Sequence, residues 1–111
     1  MTTINFEQFY QDLQSNIEQL AKNSLKDFEK QAMNDGQQLL NQLKESLQRW
    51  AEEVETGVMN KEDLEFLLQG EKSLDEMIAL KQAGLASIRI DSFKNEIVNL
   101  ILGTISSSVK I

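Results

Sequence analysis

The 111-residue sequence contains no cysteine, no histidine and no proline, and only five glycines. Each absence narrows the chemistry. Without cysteine there is no disulfide framework, no thiolate nucleophile and no sulfur-ligated metal. Without histidine the commonest general base is missing, and with it every imidazole-based triad and the Glu-x-x-His pattern of di-iron bundles. The glycines, at 36, 57, 70, 84 and 103, are too scattered to form a phosphate-binding loop. Positive charge is scarce as well: 11 Lys and Arg stand against 18 Asp and Glu, for a net charge of −7. A phosphate backbone needs a basic footprint that releases counterions, and no segment supplies one, so nucleic acid is not an expected partner. Long apolar runs are also missing. The greasiest segment, Ile97–Ile105, is half of the roughly 20 residues a bilayer requires, so no transmembrane segment is expected. The opening "MTTINFEQFY" has neither the basic nor the apolar region of a secretory signal, and the expectation is a cytoplasmic protein.

What is present is helix-forming. Gln, Glu, Leu, Lys and Ala are plentiful, and with no proline few positions obstruct helix propagation. A composition of 41% hydrophobic and 26% charged residues is that of a foldable chain, read as a single helical domain over 1–111. The expected fold class is all-α: a long N-terminal amphipathic helix, then two or three shorter helices between 60 and 107, forming an elongated helical bundle.

The strongest pattern is an eleven-residue (hendecad) rhythm of the kind found in coiled coils. Steps of eleven from Phe6 reach Ile17, Phe28, Leu39 and Trp50. A second row runs Tyr10, Ala21, Ala32, Leu43, Val54, and a third Leu25, Gly36, Leu47, Val58. Eleven residues make close to three helical turns, so the rows lie almost parallel to the axis as one apolar stripe. Asn34-Asp35-Gly36 interrupts this stretch with a turn signature, and a helical glycine costs about 1 kcal/mol relative to alanine. Yet the rows keep step from Phe28 to Leu39 and from Ala32 to Leu43. That continuity favours one stem helix from Asn5 to Glu55, with a hairpin broken at Asn34–Gly36 as the alternative. Asn5, with Gln8 three residues on, supplies a capped start.

Such a stem would be about 75 Å long, against a radius of gyration of about 13 Å for a compact domain of this size. A wet stripe forfeits about 25 cal/mol for each Å² of apolar surface, so a second copy or another helical protein is expected to cover it. The residues assigned to that interface are Phe6, Tyr10, Ile17, Leu25, Phe28, Gly36, Leu39, Leu43, Leu47, Trp50 and Val54, and a homodimer is favoured. Opposite the stripe lie amides, among them Gln14, Gln37, Gln38, Asn41 and Gln42, suited to a solvated face or to hydrogen bonds across a second helix.

Beyond Val58 the punctuation changes. Asn60 before "KEDLEFLLQG" reads as a capped helix stopped by Gly70, and "SLDE" at 73–76 as a capping box opening a helix through Gln82, with Gly84 as its stop. "LASIRI" at 85–90 alternates like a strand but has no partner strand, so it reads as connector or helix. Asp91 is then a candidate cap for a largely apolar helix carrying Phe93, Ile97, Leu100, Ile101 and Ile105, with Val98 and Leu102 widening its face, followed by a frayed "SSSVKI" tail. Acidic clusters at Glu52, Glu53 and Glu55, at Glu62, Asp63 and Glu65, and at Asp75 and Glu76 read as solvated faces or helix starts. No catalytic, cofactor-binding or metal-binding residues emerge.

The first half resembles, loosely and by composition, the eleven-residue amphipathic helices of apolipoproteins and phasins, which implies coating of a lipid or polymer surface. Small WxG-type helical hairpins match in length and acidity, but Trp50 is followed by Ala51 and Glu52, so their diagnostic turn is missing. The sequence therefore predicts a non-enzymatic helical assembly or protein-interaction module that self-associates through its stripe. The alternatives are an amphipathic coat protein, or an acidic adaptor or inhibitor of a basic partner.

Overall fold

Asn5 opens the first helix as its spacing predicts: its side-chain oxygen accepts from the Gln8 N–H at 3.2 Å, and helix α1 runs Phe6–Ser24. The computed structural model describes residues 5–72 and 76–109. Within them the chain is all-helical, with no strand. α1 is followed by a 3-10 turn, Lys26–Phe28, and by α2, Glu29–Glu55. The single stem expected from Asn5 to Glu55 is thus broken, and at a place marked by neither glycine nor proline. Leu25 (φ −135°, ψ 60°) leaves the helical region and the Phe28 N–H closes the turn onto Leu25 C=O at 2.9 Å.

At Asn34–Gly36, where the turn signature lies, α2 runs straight through. The helix tolerates the glycine because the site is crowded. A Cβ on Gly36 would sit 2.7 Å from Cγ2 of Ile17, a β-branched methyl on α1 with little freedom to move. What approaches Gly36 is a side chain of the same molecule. The Gln37 amide donates to Gln14 C=O at 3.0 Å, and Lys44 Nζ lies 4.9 Å above the Tyr10 ring. Residues 17 with 36, 14 with 37 and 10 with 44 define an antiparallel α1–α2 hairpin.

Gly57, at φ +82°, stops α2 in the left-handed conformation that glycine adopts without steric cost. Asn60 then caps α3, Lys61–Lys72, reciprocally: its Oδ1 accepts from Asp63 N–H at 2.8 Å while Asp63 Oδ2 accepts from Asn60 N–H at 3.3 Å. Gly70 does not end this helix, which continues to Lys72 because Gly70 keeps a negative φ. Of the predicted capping box at 73–76, residues 73–75 lie outside the described residues. α4 is short, Ile78–Gln82, and ends as expected at Gly84 (φ +93°), where Gly84 N–H donates to Lys81 C=O and Leu85 N–H to Leu80 C=O, both at 3.1 Å.

Residues 85–90 are no strand, for α5 starts at Ser87 and runs to Val109. Asp91 lies inside this helix and does not cap it, and the tail assigned as frayed is helical as far as Val109. α5 packs against α1, α2 and α3, burying Phe93, Ile97, Val98, Ile101, Leu102 and Ile105. α2 and α5 form the centre of the bundle, with α1 and α3 each packed on both of them and α4 packed chiefly on α2. The whole measures 46 × 23 × 19 Å with a radius of gyration of 13.9 Å, twice as long as wide but much shorter than a 75 Å rod.

Candidate interaction surface

The residues assigned to an intermolecular stripe lie inside one chain. Tyr10, Ile17, Leu25, Gly36, Leu39, Leu43, Leu47, Trp50 and Val54 are buried, and Phe6 and Phe28 are half-buried against the same core. The stripe folds back on itself at residues 25–28, so that α1 covers α2 and α5 closes the remaining side. The premise that one copy lacks the surface to shelter it fails for that reason.

Asn34-Asp35-Gly36 is the point where four helices meet. Gly36 admits Ile17 of α1, and its Cβ position also faces Phe93 and Ile97 of α5 at 3.7 Å. Asp35, only 2% exposed, takes up the backbone donors at the start of α4: Ala79 N–H at 3.2 Å and Leu80 N–H at 2.7 Å. α4 opens on Met77 in the left-handed region with no local side-chain cap. An acid 44 residues upstream supplies one instead. The sequence carried a signal for this, since Asp35 stands on the apolar stripe between Ala32 and Leu39, where an unpartnered acid would be costly.

With the stripe indoors, the outer face of α2 becomes the most distinctive surface. Met33, Asn34, Gln37, Gln38, Asn41 and Gln42 line a shallow depression of about 490 Å³. They form i,i+4 rows along one face, and between Lys30 and Lys44 the only charged residue is the buried Asp35. A chain with net charge −7 therefore presents an uncharged belt of amides. Every one of these amides carries both donors and an acceptor.

Elsewhere, among the described residues, the large apolar side chains left in solvent are Val58, Phe66, Ile78 and Ile88, on separate elements or loops. Among the described residues no group of three or more acidic, His or Cys side chains could hold a metal ion. No helix there is long and apolar enough to cross a membrane. Burial raises the Tyr10 phenol above its ordinary pKa. A search of protein-family models, curated proteins and solved structures finds no match to this chain.

Proposed function

We propose that the protein is a non-enzymatic helical assembly module whose closed copies associate through the amide belt of α2. The belt carries this reading. A net charge of −7 opposes the approach of a second copy across most faces, whereas an uncharged face offers no repulsion. Amides are self-complementary, so the same patch can pair with itself about a two-fold axis, as a symmetric dimer requires. A contact one helix face wide falls at the small end of interface sizes, and the association it supports is weak. The coat reading is less favoured, since it needs the stripe turned out onto a surface.

Sedimentation equilibrium from micromolar to about millimolar concentration tests the proposal. The expected result is a monomer–dimer equilibrium that shifts toward dimer with added salt, which screens the net charge. Gln38→Glu with Gln42→Glu places like charges on the belt without touching the core and is expected to leave the helical content unchanged while shifting the equilibrium to monomer. A mass of 12.7 kDa at every concentration would end the proposal.

A further inference from the structure

We propose that residues 25–28 are a hinge at which two copies of this chain exchange α1, with α1 and α2 then running as one continuous helix. This goes beyond association through the amide belt and rests on different observations.

The first is that the break between α1 and α2 is uncapped. Local side-chain caps open α1 (Asn5) and α3 (Asn60), and the start of α4 is capped from a distance by Asp35. Neither the 3-10 turn nor α2 has a side-chain cap hydrogen bond. The first amides of α2 are left without intrahelical acceptors, and a straight helix would give the amides of residues 26–31 the carbonyls of residues 22–27.

Secondly, nothing in the chain forbids straightening. From Lys22 to Lys30 there is no proline or glycine, and no residue there has positive φ. Leu25 (φ −135°, ψ 60°) and Phe28 (φ −125°, ψ 27°), the last residue of the 3-10 turn, leave the helical region, while Glu29 (φ −53°, ψ −48°) is already helical.

A third observation is that the apolar rows keep register through the break. Ile17, Phe28 and Leu39 fall on one line, as do Ala21, Ala32 and Leu43. A straightened stem therefore presents α1 with its buried face intact, and a partner's α2 and α5 can receive it with the contacts they make in the closed chain. Exchange of an identical element changes only the hinge and the number of chains.

The hinge end of the bundle also carries an apolar side chain with no cover. Ile88 is 77% exposed and adjoins Arg89, which lines one small cavity with Ser24 and Leu25. Exchange brings two such ends together.

Because the chain has no cysteine, the exchange can be read directly. Gln11 and Lys44 are exposed and border one surface depression across the α1–α2 seam, outside the amide belt. In the Gln11→Cys, Lys44→Cys double variant, a short bismaleimide bridges the two thiols within a chain if the hairpin is closed and between chains if α1 is exchanged. Samples are refolded at about 10 µM and about 1 mM, cross-linked and run on a denaturing gel. The expected result is a 12.7 kDa product at the lower concentration and a product of twice that mass at the higher. Asp27→Ala, which raises helix propensity at an exposed hinge position, should increase the double-mass product severalfold. Lys26→Pro, disallowed inside a helix but fitting the start of a turn, should reduce it by at least about a hundredfold. Small-angle scattering of the dimer should give a maximum dimension of at least about 75 Å, beyond the 46 Å of the closed chain. Intrachain products alone, at both concentrations and in Asp27→Ala, would overturn the exchange. If dimers form but carry intrachain bridges, the exchange fails while the amide-belt reading stands. If Gln38→Glu with Gln42→Glu leaves interchain bridges in place, the exchange stands independently of the belt. Should Lys26→Pro lose its helical circular dichroism, the Asp27→Ala comparison still decides.

Discussion

Gly36→Ala inverts in sign depending on whether α1 folds back onto α2. On an isolated stem the substitution removes a flexible residue from a helix interior and stabilises by about 1 kcal/mol. In the hairpin the new Cβ meets Ile17 Cγ2 at 2.7 Å. That methyl is fixed to a β-branched carbon and cannot swing aside, so the overpacking costs about 1–3 kcal/mol. The net expectation is a loss of about 1 kcal/mol, which for a domain of this length lowers Tm by about 4 °C. Gly36→Leu adds further carbons toward Ile97 and Phe93, both 3.7 Å from the Cβ position, and should cost at least about 3 kcal/mol. Ile17→Ala removes the offending methyl. In that background, already weakened by about 2–5 kcal/mol, Gly36→Ala should stabilise by about 1 kcal/mol as propensity alone dictates. Urea melts of the four proteins form a double-mutant cycle with a coupling of about 2 kcal/mol. If Gly36→Ala stabilises the wild-type chain and the Ile17→Ala chain equally, Gly36 is not packed against α1 and the hairpin is wrong.

Two further outcomes probe the centre of the bundle. Asp35→Ala leaves the amides of Ala79 and Leu80 without their acceptor and should cost about 3 kcal/mol, Asp35→Asn about half of that because one carbonyl oxygen can still accept; denaturant melts measure both, and equal, near-zero losses would exclude the remote cap. Burial raises the Tyr10 phenol above its ordinary value of 10.0, so the folded chain holds that proton more tightly than the unfolded one, and its contribution is complete below pH 10 and is lost as pH climbs through the folded pKa. Alkaline melts should therefore show stability falling above pH 10, with a shallower fall in Tyr10→Phe.

Helical class, caps and the buried C-terminal helix are legible because each depends on local chemistry. Asn5 and Asn60 satisfy amides three residues away, Gly84 supplies a left-handed residue, and the apolar spacing of Phe93 to Ile105 sets the inward face of α5. The break at residues 25–28 is not local in that sense. Asp27 is the one turn-favouring residue there, with neither glycine nor proline, and the register of the rows is the same on both sides. Its trace lies further along, in the width of the α2 face. Leu39 and Leu40 are both buried, as are Trp50 and Ala51, and adjacent buried positions mean a helix covered from more than one side. Asp35 reads from sequence as one member of a turn signature, and the amides it serves lie 44 and 45 residues away, a distance no periodicity reports. The amide belt was visible as composition, and only the direction of folding shows that it faces outward while the stripe does not.

The turn at residues 25–28 wins in a single chain by magnitude. Keeping the stem straight would retain about four more backbone hydrogen bonds, a net of about 1 kcal/mol each. It would also strip α1 of its cover, exposing Phe9, Leu13, Ile17 and Leu25, all buried in the hairpin and each worth about 1.5–3 kcal/mol. Burial outweighs the ladder by about a factor of two, so an isolated copy folds back. A second copy removes the need to choose. An exchanged pair keeps the apolar cover and gains the ladder in both chains, about 8 kcal/mol in all, against a loss of about 4–15 kcal/mol of translational and rotational freedom. The two sums are of the same size. Protein concentration and the helix propensity of residues 25–28 then decide which form is populated, and for this reason single substitutions at Lys26 and Asp27, both solvent-exposed, should move the equilibrium more than changes in the core, which both forms share.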